Sequence, residues 1–122
     1  MAVNSYQQFM QQSVSTMTPV QLLVALYDKA EQELKKAVYF IENNQIDRAN
    51  NSIIKVQDIV GALDGSLKEK YEIAGYLASL YDYFAERLIE ANIKKDAAIL
   101  TELIPFFGEL KDTFTEISKK GY

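Results

Sequence analysis

The sequence predicts an all-α protein: an antiparallel four-helix bundle with a short N-terminal helix or lid segment. Three observations carry this. Apolar residues recur at spacings of three and four along most of the 122 residues, the period of one helix face. Helix-start and helix-stop residues divide that pattern into four long segments joined by short connections, as in antiparallel bundles. No β-hairpin signal, low-complexity linker or internal repeat competes with the helical reading.

Residues 1–17 are polar and rich in Gln and Ser. Tyr6, Phe9 and Met10 fall at i, i+3, i+4, on one face of a short helix. The segment is expected to be a mobile tail or a lid, ahead of a bundle over 18–119, the whole chain forming one domain.

The first helix is predicted over 18–43. Thr18 caps it, Pro19 takes the first helical position, and Gln21 completes a capping box. Its apolar stripe is Leu22, Leu23, Leu26, Tyr27, Ala30, Leu34, Ala37, Val38 and Ile41, and Asn43–Asn44 end it. Glu31 and Lys35 form an i, i+4 pair in the favourable order on the solvated side. The second helix is predicted over 47–64, capped by Asp47, with the stripe Ala49, Ile53, Val56, Val60 and Leu63. Gly65 is expected to close it in the left-handed conformation. Ile54 lies well off this stripe and Ile59 on its flank.

The third helix is predicted over 68–94, starting from a box of Ser66 with Glu69 or later, near Tyr71. Its core face is Ile73, Leu77, Leu80, Tyr81, Phe84, Leu88 and Ala91. Tyr76 and Tyr83 flank one edge, while Ala78, Ala85 and Ile89 lie on another side, so this helix is apolar over more than one stripe. The fourth helix is predicted over 96–119, capped by Asp96, with Ile99, Leu103, Phe106, Phe107, Leu110, Phe114 and Ile117 facing inward. Pro105 falls inside it, removes the donor for the Thr101 carbonyl, and is expected to bend the helix there.

Composition narrows the function. The hydrophobic fraction is 48%, and there is neither Cys nor His. The chain therefore has no disulfide, no thiolate nucleophile, and neither the usual metal ligand nor the usual base near neutral pH. A net charge of −4 argues against nucleic acid as a partner, since phosphates call for a basic surface. The N-terminus lacks the basic and apolar regions of a signal peptide. No apolar run approaches the ~20 residues of a membrane span, so no membrane insertion is expected. On these readings a cytoplasmic protein is expected.

Candidate chemistry is sparse. Asp82, Glu86 and Glu90 line one helix face at i, i+4, i+8. A bundle di-metal site would pair such carboxylates with Glu-x-x-His motifs, so a solvated acidic face is the better reading. The aromatics of the third helix sit mostly at core spacing. The glycines are too scattered for a phosphate loop. No catalytic, cofactor-binding or metal residues are assigned, and no enzyme activity is expected. Tyr76 and Tyr83, at the stripe edge, are plausible anchors for a partner helix.

Three features, in order, resemble the FliS family of flagellar export chaperones. Tyr6 precedes a Gln-rich segment. A Thr18–Pro19 helix start leads into Leu26-Tyr27-Asp28. The run LYDYFAERLIEANIKKD then matches the family's third helix and following turn. The match covers nearly the whole chain, with departures at Phe114, where the family often has Trp, at Lys68 to Tyr71, where a Gly-rich turn is common, and at Pro105. The resemblance implies binding of the disordered C-terminal segment of flagellin before export, prevention of premature polymerisation, and delivery to the type III export gate. The expected partner-binding residues are Tyr6, Phe9, Met10, Ile54, Ile59, Tyr76, Tyr83 and Ile89. The protein is expected to act as a monomer or weak homodimer, without cofactor. The rival reading is a structural or regulatory bundle with a different helical partner.

Overall fold

A computed structural model describes residues 17–67 and 72–121. It consists of α1 (Pro19–Glu42), α2 (Ile46–Gly65), α3 (Glu72–Lys94) and α4 (Ala97–Ser118). The helices run up and down in sequence, and α4 closes the bundle against α1.

Local chemistry sets most of the boundaries. The Thr18 hydroxyl accepts from the Gln21 N–H at 3.1 Å, and the Gln21 side chain accepts from the Thr18 N–H at 3.0 Å. Both bonds satisfy donors that the first helical turn leaves free. α1 ends at Asn43, and Asn44 turns the chain with φ 58°, a left-handed conformation that Asn tolerates better than most residues. α2 starts one residue earlier than expected. Gln45 occupies its N-cap without a side-chain bond, and Asp47 lies inside the first turn. There its carboxylate meets the positive end of the helix dipole instead of capping.

Gly65 remains within α2 and does not adopt the left-handed closure expected of it. Ser66 ends the helix in the right-handed region, its hydroxyl donating to the Leu63 carbonyl at 2.8 Å. The turn from α3 to α4 uses Lys95, at φ 49°. Its ammonium donates to the Asn92 carbonyl at 2.6 Å and to Asn92 Oδ1 at 2.7 Å. Asp96 then caps α4 by accepting from the Ala98 N–H at 2.9 Å. α4 runs unbroken through Pro105. Thr101 and Pro105 are both exposed, so the carbonyl that loses its donor lies on the solvated side.

The core is one cluster built from all four helices. Tyr27, Leu34, Ile53, Leu63, Tyr81, Phe84, Leu88, Leu103 and Phe107 are fully buried in it. Leu100, absent from the predicted stripe, is also fully buried, whereas Ile73, assigned to the core face, is exposed. α1 lies closest to α4 and α2 and presents small buried residues, Ala30 and Ala37. α3 presents Tyr81, Phe84 and Leu88 and is held farther from its neighbours. Bulky knobs set a wider interaxial distance than alanines do. That spacing opens the two seams on either side of α3.

Candidate functional site

Both seams are apolar. On the α4 side, Phe84 stacks against Phe107 with centroids 4.6 Å apart and against Phe106 at 5.7 Å. Tyr83 meets Phe106 at 6.0 Å. These rings fill the gap between α3 and α4 and emerge at its mouth, where Tyr83 and Phe106 are partly exposed and Tyr76 is 66% exposed. Arg87 ties the seam together, pairing with Glu90 on its own helix and with Glu102 of α4 at 3.6 Å.

On the α2 side, the wider spacing leaves a cleft of about 230 Å³. Val60 and Gly61 of α2 face Tyr81, Ala85 and Ile89 of α3 across it, with Asp64 and Asp82 on its walls. A second cleft of about 300 Å³ shares Asp64 and carries the seam on to Ala74, Gly75 and Ala78. Beyond Ile89, Ile93 is 79% exposed at the C-terminal end of α3.

The predicted partner residues divide among these places. Tyr76 and Tyr83 lie along the α4 seam and Ile89 on the α2 seam, so they belong to opposite sides of α3 and form no single patch. Ile54 is half-buried. Ile59 is a correction: it is fully buried in the core and presents no surface to a partner. Tyr6, Phe9 and Met10 lie outside the described residues. Sequence reasoning missed Ile93 and Gly61, and it put Phe106 in the core. Ile93 carried a signal, since it sits off the Leu88–Ala91 stripe. Gly61 carried one too, as a glycine inside a helix.

Charge is distributed unevenly around the bundle. Glu33 is fully buried, with Lys36 at 3.0 Å, Lys29 at 3.5 Å and Lys55 of α2 at 3.8 Å. Burial pushes its carboxyl pKa up. Lys36, by hydrogen bond and charge, then Lys55 and Lys29, outweigh this and hold it below the usual carboxylate value. Lys111 of α4 bridges Glu31 at 2.8 Å and Asp28 at 3.3 Å on α1, so Glu31 serves the α1–α4 interface more closely than its 3.9 Å pairing with Lys35. In contrast, Asp64, Asp82 and Glu86 make no ion pair among the described residues.

Inside the bundle, the Tyr27 and Tyr81 hydroxyls meet at 2.6 Å, joining α1 to α3. Burial, with the partner hydroxyl adding to it, raises the Tyr27 phenol pKa well above its ordinary value, so the pair stays protonated.

Among the described residues, no group of three or more His, Cys, Asp or Glu is placed to hold a metal. No helix there is long and apolar enough to cross a membrane. The arrangement suits binding of an apolar, helix-forming segment.

Comparison with known proteins identifies the family. The family model for flagellar protein FliS matches residues 2–121. The chain is 33% identical over 113 residues to the flagellar secretion chaperone FliS of Bacillus subtilis, covering 93% of this chain and 85% of that one. It is 31% identical to FliS of Salmonella typhimurium, covering 89% and 83%. It is 32% identical to the chaperone FliSB of Pseudomonas aeruginosa, covering 96% and 95%. A crystal structure of a bacterial flagellar chaperone shares the fold, with a TM-score of 0.79 at 15% identity over 98% of this chain and 99% of that one. All three sequence relatives are named as secretion chaperones, none as an enzyme. A helical bundle matched along its whole length in this way belongs to the FliS family of flagellar secretion chaperones.

Proposed function

We propose that the protein holds the C-terminal segment of flagellin in the cytoplasm, keeps it from polymerising early, and brings it to the flagellar type III export apparatus. Membership of the FliS family supports a flagellar client. The observation that carries the reading further is α3 itself. Its apolar surface exceeds what its own core contacts cover and emerges at both seams, at Tyr76 and Tyr83 on one side, where Phe106 of α4 joins them, and at Ala85, Ile89 and Ile93 on the other. Exposed apolar surface on both seams of one helix marks it as an interaction element.

The mechanism is binding without chemistry. A flagellin terminus that is disordered when free loses conformational entropy as it orders, so a large apolar contact is needed for useful affinity. Two parallel seams along one helix supply a long track for an amphipathic segment. Occupying the client's apolar face hides it from other flagellin copies. Release then depends on competition from the export apparatus, by the difference of two affinities.

Co-purification from the native cell tests this reading. A stoichiometric complex with flagellin, lost when the flagellin C-terminal region is deleted, is the expected result. Equal capture of unrelated amphipathic helices would instead favour a general helical-bundle interaction module.

A further inference from the structure

Glu33 gathers more positive charge than its burial requires. A buried carboxylate left without a cation is strongly destabilising, so one lysine beside it has a structural reason. Lys36 supplies that, hydrogen-bonded to Oε2 at 3.0 Å. Yet Lys29 also approaches Oε2, at 3.5 Å, and Lys55 of α2 stands 3.8 Å from Oε1, beyond hydrogen-bond length. Lysines gathered only to satisfy the carboxylate would divide between its oxygens. Among the described residues, none of the three pairs with another acid. Asp58, one turn along α2 from Lys55, pairs with none of them. Three ammoniums on one carboxylate leave a surplus of two positive charges, held in place on a chain whose net charge is −4.

The basic cluster extends into a strip. Lys29, Lys36 and Phe40 fall at i, i+7, i+11 along one line of α1. Arg48 lies two turns before Lys55 on α2, toward the same end of the bundle, and meets Gln45 at 3.3 Å. Lys36 and Arg48 are exposed, and Lys29, Lys55 and Phe40 are half-buried. At that end Tyr39, 58% exposed, meets Phe40 edge to face with centroids 5.8 Å apart. The strip is about 16 Å long at the rise of an α-helix, basic along its length and aromatic at one end. α1 packs on α2 and α4, and α3 packs on the same two helices. The strip, shared by α1 and the α1-facing side of α2, therefore lies away from both seams of α3.

We infer that the α1–α2 strip binds an acidic segment of a second protein partner, with the client still in place on α3. Glu33 holds the three ammoniums together, the partner's carboxylates take the surplus charge, and an apolar side chain of the partner covers Phe40 and Tyr39. Complementary charge is what selects such a partner. Anionic lipid is the poorer match, since it calls for about four to eight cations free to reach head groups, and here three are tied to one carboxylate. A second copy of the chain is also a poorer match, since a symmetric pairing of this face sets like charges together. The strip itself stands apart from the proposed function; only its occupancy alongside the client rests on that reading.

The test uses the full chain and a fluorescein-labelled peptide of Glu and Ala with one terminal Phe, about twelve residues long, enough to span the strip as a helix. Anisotropy at low salt reads the binding. Lys29→Gln, Lys36→Gln and Lys55→Gln are made together with Glu33→Gln, so that no carboxylate is left buried without a cation. This strip variant is expected to bind about tenfold more weakly, as for the loss of three exposed charge pairs, with a shallower salt dependence. Lys35→Gln, Lys119→Gln and Lys120→Gln together, a larger change in net charge made elsewhere, should alter binding less than about twofold. Thermal melts check the fold; should the strip variant fail to fold, Arg48→Glu, which strands no buried group, should weaken binding about fivefold and decides in its place. Full binding by the strip variant, or equal loss in the lysine control, overturns the assignment. Replacing the peptide's Phe by Ser should cost at least about threefold; an affinity unmoved by that change would mean plain charge attraction and overturn the strip as a protein site. A saturating flagellin C-terminal peptide from the same cell should leave the affinity within about twofold, as for independent sites, and mutual exclusion would overturn the proposal. A flagellin peptide that does not bind at all overturns the functional reading, and the acidic peptide then decides the strip alone. Binding to phosphatidylserine vesicles but not to the acidic peptide would overturn the proposal in favour of a membrane. Self-association that the strip variant abolishes would overturn it in favour of a second copy.

Discussion

Tyr27 and Tyr81 offer a sharp test of how the bundle is joined. Their hydroxyls meet at 2.6 Å, and both residues are essentially inaccessible to solvent. Changing one to Phe keeps the ring, including the Tyr27 contact with Phe114 at 5.6 Å, and leaves the other hydroxyl buried without this partner. An orphaned buried polar group costs about 1–2 kcal/mol. At about 4 °C per kcal/mol for a domain of this size, Tyr27→Phe and Tyr81→Phe should each melt about 4–8 °C lower. The double variant leaves no orphan. Its cost should fall short of the summed single costs by at least about 1 kcal/mol. Urea unfolding followed by circular dichroism measures all three against the parent. Additive losses, within about 0.5 kcal/mol, would refute a coupled pair and leave each hydroxyl's effect independent of the other.

Further predictions concern charge, capping and the N-terminus. Glu33 has a folded pKa below its ordinary 4.5, so its stabilising contribution is present above that pH and lost as pH falls through the folded value. Glu33→Gln should lower stability near neutral pH by about 1–2 kcal/mol, a buried-pair effect reduced because its lysines are partly exposed, and should flatten the acid limb of a urea-midpoint-against-pH curve; an unchanged limb would contradict this. Asp96→Ala removes the α4 cap and should cost about 1 kcal/mol, read as a shift in urea midpoint at constant slope. Deleting residues 1–17 should tighten binding of a flagellin C-terminal peptide, on the reading that Tyr6, Phe9 and Met10 compete for the apolar groove; unchanged affinity and solubility would make the segment a tail.

The features legible in the sequence are the local ones. The Thr18–Gln21 box, the Asn43–Asn44 stop and the Asp96 cap each depend on residues within one turn, and each stands in the structure. The helix stripes were legible for the same reason, since burial follows the helical period. Readings failed where distant residues decide. The start of α2 is a local exception, since Asn44 turns the chain early enough that Gln45, not Asp47, opens it. The pattern of α2 alone puts Ile59 on the flank of the stripe, as a partner-facing residue, but the surrounding helices bury it completely. Phe106 fits the α4 stripe by period, yet the rings at the α3–α4 seam leave it partly outside. The seams themselves could not be read, because their width comes from Tyr81, Phe84 and Leu88 holding α3 away from neighbours that the sequence does not place. Nor could the buried position of Glu33 be foreseen, since Lys55 reaches it from another helix.

The central claim is that this bundle binds the flagellin C-terminal region. Calorimetric titration of the full chain with that peptide, at several temperatures, tests it most directly. The account predicts a stoichiometric complex whose binding heat capacity is negative, because apolar client surface is buried along α3. An N-terminal flagellin peptide of equal length should give no complex. Absence of heat at every temperature, with no co-elution on gel filtration, would contradict the account.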